Sequence, residues 1–291
     1  MLIQSITQRV ARLLPPIVSF ISRRVSHRLG KSLVSHLPPS IRNFVTVVHV
    51  DGTVRMKVYT GETIGRHMYY FHNFEQAQSE SLLSLIEEQT VFFDIGANMG
   101  LYSFLAAEKG ARVYSFEPSP SIVEWFEDNL ELNSSLADRI TLVQEAVSDH
   151  NGTLNFYPNR EGNFGVGKIF SDEADKKQES DAVQITARTL DDCVKQYGVP
   201  DVIKMDVEGA EFLILKDLPE VFKREDSPTL FVEFHPHGIA VLGGTVDEIR
   251  KAFFENGFTC YQLNDEEPGE TTWEVFSKRP FVNKNFKIIH P

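Results

Sequence analysis

Val91-Phe92-Phe93-Asp94-Ile95-Gly96-Ala97-Asn98-Met99-Gly100 runs from an apolar stretch into a tight Gly/Asn turn, and Ser115-Phe116-Glu117-Pro118 follows about one βα unit later. An apolar run, a glycine turn, a helix-like segment and a second apolar run ending in a carboxylate describe a nucleotide-type cofactor. Such a ligand lies across the carboxyl ends of parallel strands.

Outward from this stretch, strands and helices alternate. A helix is expected near 100–109, stopped by Gly110, then a strand at 112–117 and a helix from Pro120 to about Asn133. Ile140–Val147 reads as the third strand, and Asn151-Gly152 turns the chain into Thr153–Tyr157. Residues 158–182 are polar, with Gly162, Gly165 and Gly167, and read as a loop or lid. Order resumes with Val183–Thr186, a helix at Asp191–Tyr197, a fourth strand at Val202–Asp206 and a fifth at Thr229–Phe234. A helix at Val246–Asn256 follows, and Phe258–Leu263 with Thr272–Phe276 would close the sheet as an antiparallel pair. Such alternation means a mostly parallel sheet with helices on both faces.

Upstream, β-rich runs at 44–50 and 53–59 flank Asp51-Gly52, a hairpin signal, and the pattern of Phe74, Ala77, Leu82 and Ile86 predicts a helix over 73–88. The expected organisation is a basic arm over 1–43, a β-hairpin extension over 44–72, the main domain over 73–281 and a tail over 282–291.

Hydrophobic residues make up 42% of the 291 and charged residues 24%, as in a soluble globular protein. A net charge of −12 argues against a nucleic-acid partner, which needs a basic face. Cys193 and Cys260 alone make neither a disulfide framework nor a Cys-rich zinc site, and a reducing cytoplasm is the expected compartment. Seven of the 29 Lys+Arg and none of the 41 Asp+Glu fall in residues 1–43, so the remaining 22 against 41 leave −19 on the rest. Pro15-Pro16 and Pro38-Pro39 break this arm, and its longest uncharged run, Leu13 to Ser22, is too short to span a bilayer. Three readings compete for it: an amphipathic arm on the body or a membrane surface, disorder or oligomer contact, and a cleaved organelle presequence.

Gly96 and Gly100 let the backbone approach a ligand, and Asn98 tolerates left-handed backbone. Asp94 is set to accept a hydrogen bond from a polar or cationic part of that ligand. Glu117, 21 residues beyond Gly96, suits a ribose diol. Nicotinamide enzymes share this geometry. The full Gly-x-Gly-x-x-Gly pattern is absent, however, since Asn98 and Leu101 occupy its second and third glycine positions. Asp94 would also repel a pyrophosphate and favour a cation such as a sulfonium.

Asp206, Glu208 and Glu211 cluster at a strand-to-helix turn beside Gly209. Helix N-terminal acids explain part of this pattern. The three could also stabilise a sulfonium, orient an acceptor, or bind a divalent cation with Glu233 and His235. His235, at the end of an apolar strand in an acidic setting, is a candidate general base.

Asp94–Gly100, Phe116-Glu117-Pro118, Lys204-Met205-Asp206-Val207-Glu208-Gly209-Ala210-Glu211 and Val232-Glu233-Phe234-His235 together resemble the FkbM family of S-adenosylmethionine (SAM)-dependent methyltransferases. The resemblance covers about residues 70–280. It implies a Rossmann-like class I methyltransferase fold with a seven-stranded sheet, and methyl transfer to a hydroxyl of a sugar, glycolipid, polyketide or related metabolite. By that resemblance, Asp94, Gly96, Asn98 and Gly100 would hold the methionine and ribose parts of SAM, and Glu117 the ribose hydroxyls. Glu145 and Ala146 would lie beside the adenine, and Asp206 where donor meets acceptor. The loop around Asn163 would also reach toward the cofactor. A nitrogen or protein acceptor, and a nicotinamide-dependent oxidoreductase on the same fold, are the alternatives. The expected partner is a small-molecule or glycan acceptor, and the expected location is the cytoplasm, with the basic arm a candidate for peripheral membrane contact.

Overall fold

Asp51 and Gly52, at φ of 47° and 80°, reverse the chain between β1 (Val45–Val50) and β2 (Val54–Tyr59), the expected antiparallel hairpin. A computed structural model describes residues 43–71, 74–158, 167–169, 182–263 and 284–289. Residues 1–42 of the basic arm, most of the 158–182 loop including Asn163, and the run Thr272–Phe276 lie outside the described residues.

The main sheet takes its central strands from the apolar runs. β3 (Val91–Ile95), β4 (Arg112–Phe116) and β5 (Ile140–Val143) are parallel neighbours on one side. The chain then makes a second, four-stranded sheet from β6 (Ala146–Ser148), β7 (Gly152–Pro158), β8 (Gly167–Lys168) and β9 (Val183–Thr189). It returns through β10 (Val202–Met205), which pairs with the other edge of β3, and β11 (Thr229–Phe234). β12 (Thr259–Leu263) and β13 (Lys284–Ile289) complete the seven-stranded order β12-β13-β11-β10-β3-β4-β5, with only β13 antiparallel to its neighbours. The order reverses between β3 and β10, and that crevice is where ligands bind in open α/β sheets.

Phe92 and Phe93 explain why both faces are covered. Consecutive strand residues point to opposite faces, and each of these rings is fully buried in a different apolar cluster. Phe92 packs with Leu101, Phe104 and Phe126 from helices Leu101–Glu108 and Pro120–Leu132, and with the hairpin's Met56 and Val58. Phe93 lies with Leu190, Ile214, Ile249 and Phe253 from helices Leu190–Tyr197, Glu211–Leu215 and Val246–Glu255.

Asn129 and Asn133, one turn apart on helix Pro120–Leu132 and its cap, hold the hairpin to the sheet. Asn133 accepts from the Arg55 N–H at 2.9 Å and donates to the Arg55 carbonyl at 2.7 Å. Asn129 accepts from the Lys57 N–H at 2.6 Å and donates its own amide to the Met99 carbonyl at 3.0 Å. The unpaired polar edge of β2 is thereby satisfied by side chains.

Three expectations need correction. Ile140–Val147 is not one strand: β5 ends at Val143, whose carbonyl accepts from both Glu117 and Glu145 N–H, and Ala146 begins the second sheet. The helix expected over 73–88 spans only Gln76–Leu83, because the chain then closes into turns at Ser84–Thr90. A further helix, Thr63–Phe71, lies inside the expected hairpin extension, concealed by β-favouring Tyr69-Tyr70-Phe71. Among the described residues β12 pairs with Lys284–Ile289, from the segment read as a tail. Among the described residues, no helix is long and apolar enough to cross a membrane.

Candidate active site

The loop after β3 is shaped first by the protein's own packing. Gly96 has φ +75°, and a Cβ there would sit 1.9 Å from the Asp206 carbonyl oxygen; at Gly100 a Cβ would meet the Phe104 and Phe126 rings. The glycines therefore serve close approach of strand to strand and loop to helix, an intramolecular need that spacing alone does not reveal. Asn98, at φ 53°, accepts the Met99 N–H on its own side-chain oxygen at 2.7 Å.

Glu117 binds this loop to the end of β4. One carboxylate oxygen accepts from the Asn98 N–H at 3.0 Å and the other from the Ser119 N–H at 2.9 Å. Burial pushes its pKa up to about 7, against the opposing pull of those two donors. A folded-state value above the ordinary 4.5 means a contribution to stability that is complete below about pH 4.5 and lost as pH rises through about 7. Glu117→Gln, which cannot ionise, is expected to flatten that decline. Melting temperatures of both proteins at pH 5 and pH 8 check this, and an equal fall in both would overturn it.

Asp94 is fully buried. It accepts from the Ser103 hydroxyl at 2.6 Å and lies 3.8 Å from the Lys204 ammonium, its register partner on β10. Burial raises its pKa, and Lys204 and Ser103 oppose the rise. Lys204 is the residue whose role the sequence reading missed. Its Nζ donates to the Gly96 carbonyl at 3.1 Å, lies 3.5 Å from Asp206, and stands 5.5 Å from the centre of the Tyr102 ring. Burial disfavours its charge, but Asp206 and Asp94 outweigh that and hold its pKa above the usual value. The Tyr102 hydroxyl in turn donates to Glu75 at 2.8 Å.

Across Lys204 lies the second group. Asp206 ends β10, with its N–H bonded to the Ile95 carbonyl. His235 follows β11 and begins helix Pro236–Val241. Its Nδ1 is 3.2 Å from Glu211, and its Nε2 is 3.4 Å from Glu208, 3.7 Å from Glu233 and 3.9 Å from Asp206. Burial disfavours the imidazolium, but Glu211, Asp206 and Glu208 push its pKa up to about 10. In the ion-free site these carboxylates favour the imidazolium form of the ring. Glu233 is raised to about 8, by burial first and then by the Asp206 and Glu75 carboxylates. Gly209 is required where the turn after β10 meets this helix, because a Cβ there would lie 2.6 Å from the Gly238 Cα.

The family model for the methyltransferase FkbM domain matches residues 94–260, more than half of the chain. The chain belongs to the FkbM methyltransferase family. Among curated relatives of this FkbM chain, methyltransferase sdnD of Sordaria araneosa is 30% identical over 44% of this chain and 60% of its own length. Hexuronic acid methyltransferase AglP of Haloferax volcanii is 28% identical over 55% and 62%, and 2-O-methyltransferase NoeI of Sinorhizobium fredii is 30% identical over 45% and 58%. The matches thus span about three fifths of the length of these three curated relatives.

The FkbM match begins at Asp94, so the hairpin, Glu75 and β13 lie outside it, and every expected site residue lies within it. Asp94, Gly96, Asn98, Gly100 and Glu117 come together in one hydrogen-bonded loop, and Lys204 joins that loop to Asp206. Glu145 and Ala146 lie next along the sheet edge. Both ends of the Glu145 carboxylate face the Arg188 guanidinium, at 2.9 and 2.8 Å, and Ala146 is buried in the second sheet. Arg188 thus holds the Glu145 side chain in an ion pair.

Proposed function

We propose that this FkbM chain is a SAM-dependent methyltransferase that methylates a hydroxyl of a sugar, glycan or related small metabolite. One observation carries the reading: the donor-side loop and the acid-rich acceptor side meet at Asp206, whose carbonyl abuts Gly96 and whose carboxylate lies 3.9 Å from His235. That meeting point is the switch point of the sheet.

In this reading Asp94, Gly96, Asn98 and Gly100 form the floor beneath the methionine and ribose parts of SAM. Glu117 keeps lone pairs for the ribose hydroxyls while the backbone fixes its position. The Glu145–Ala146 backbone borders the adenine. Support for a hydroxyl acceptor comes from one relative, a 2-O-methyltransferase, and support for a sugar-type acceptor from another, a hexuronic acid methyltransferase.

The reaction is an in-line displacement. The acceptor oxygen attacks the methyl carbon, the carbon–sulfur bond breaks, and its electron pair stays on sulfur, turning a sulfonium into a thioether. The hydroxyl proton passes to the ionised form of Glu233, which stands on β11 3.7 Å from His235; with its pKa raised to about 8, turnover is expected to rise with pH toward that value. Alignment of the two reactants and exclusion of water supply most of the acceleration.

Calorimetry with SAM, its demethylated product and NAD tests the donor. Incubation with hydroxylated glycans, lipids and polyketides, read as a gain of one methyl group in mass, tests the acceptor. SAM binding with methylated glycan is the expected result. NAD binding without SAM binding would overturn the donor assignment, and labelling confined to amines or protein would overturn the hydroxyl.

A further inference from the structure

Among the described residues, Asp206, Glu211 and His235 bring one ligating atom each to within 4.8 Å of the others. We propose that these three side chains bind a divalent metal ion of the hard, oxygen-preferring class, Mg2+ or Mn2+, on the acceptor side of the site.

Two buried oxygens point to it. Glu211 is fully buried; its Oε1 accepts from the Val207 N–H at 3.1 Å and faces His235 Nδ1, yet its Oε2 accepts no hydrogen bond among the described residues. Asp206 divides in the same way. Its Oδ2 faces Lys204 at 3.5 Å, while Oδ1 is closed off from solvent, faces His235 Nε2 and accepts no hydrogen bond among the described residues. A buried carboxylate oxygen with no donor is costly, and a bound cation removes that cost while displacing the proton of the His235 imidazole, since a metal takes its ligands deprotonated.

The donor chemistry selects the ion. Two carboxylates with a single imidazole, and no thiolate nearby, suit Mg2+ or Mn2+ better than softer metals. Glu208, 3.4 Å from the same imidazole, places a further carboxylate beside the position. Such a concentration of acids repels an acidic sugar. A cation lying among them would instead attract a carboxylate or a pair of hydroxyls on the acceptor. This role for the ion rests on the methyl-transfer reading; the binding of the ion does not.

The test is titration of chelator-stripped full-length protein with Mn2+, following free Mn2+ by electron paramagnetic resonance and measuring SAM affinity in parallel. Expected are saturable uptake of one ion per chain, competition by Mg2+, and binding weakened about tenfold or more in Asp206→Asn and Glu211→Gln. Because Glu211 is buried, circular dichroism of each variant confirms folding, and Asp206→Asn stands alone if Glu211→Gln does not fold. Absence of saturable Mn2+ uptake by the folded wild-type chain overturns the metal site, as does unchanged affinity in Asp206→Asn. SAM binding without Mn2+ uptake sinks the metal and leaves the donor assignment standing; Mn2+ uptake without SAM binding does the reverse.

Discussion

Lys204→Met is expected to lower the stability of the fold by about 3–5 kcal/mol, the cost of removing one partner from a buried ion pair. Met nearly matches the Lys stem in volume, so the loss isolates the ammonium. Without it, the buried Asp94 and the Asp206 carboxylate face each other with no cation between them, and the Gly96 carbonyl loses its donor. The loop after β3 then has no tie to β10 through this side chain, and SAM affinity should fall along with the melting temperature. Denaturant unfolding measures the first and calorimetry the second. A double variant, Asp94→Asn with Lys204→Met, should recover part of the stability because the buried charge is removed on both sides. A midpoint that does not move in Lys204→Met would show that Asp94 is not held by this ammonium.

Glu233→Gln is expected to reduce kcat by about 10²–10⁴-fold, the usual contribution of a positioned proton acceptor, with SAM affinity unchanged. Gln keeps the shape and a hydrogen-bonding oxygen but cannot take a proton. The side chain is 18% exposed and stands on β11, across Asp206 from the donor loop, so its loss should spare the cofactor. His235→Ala serves as the comparison. If His235 positions Glu233 and Asp206 rather than accepting the proton, its removal costs turnover but leaves the remaining activity sensitive to Glu233. Unchanged kcat in Glu233→Gln would remove it from the mechanism.

Much of the framework was legible because the local signals were strong. β3, β4, β10 and β11 are apolar runs ending in a carboxylate or histidine, and Asp51-Gly52 announces its hairpin. The break at Gln144-Glu145 was not legible, since β-favouring residues continue on both sides with no Gly or Pro between them. Nor was the seat of Lys284–Ile289 between β11 and β12, because pairing between distant segments leaves no local mark. In the site, the positions of Asp94, Glu117, Asp206 and His235 could be read, but not their partners. Asp94 meets Lys204 only through the register of β3 on β10, and Glu117 meets the Asn98 N–H only once two loops are stacked. A signal for Lys204 was present: a lone cation in Val202-Ile203-Lys204-Met205 must be paired if that strand is buried.

Asn129 gives the hairpin a mechanical meaning. Its one side chain grips Lys57 on the hairpin and Met99 in the glycine turn, and so splints the two across the helix Pro120–Leu132. Trimming the chain to the family boundary at Asp94 would strip one jaw from that grip and leave a buried amide half-answered. The hairpin is thus a brace for the turn beneath the donor, reached from outside the segment that defines the family.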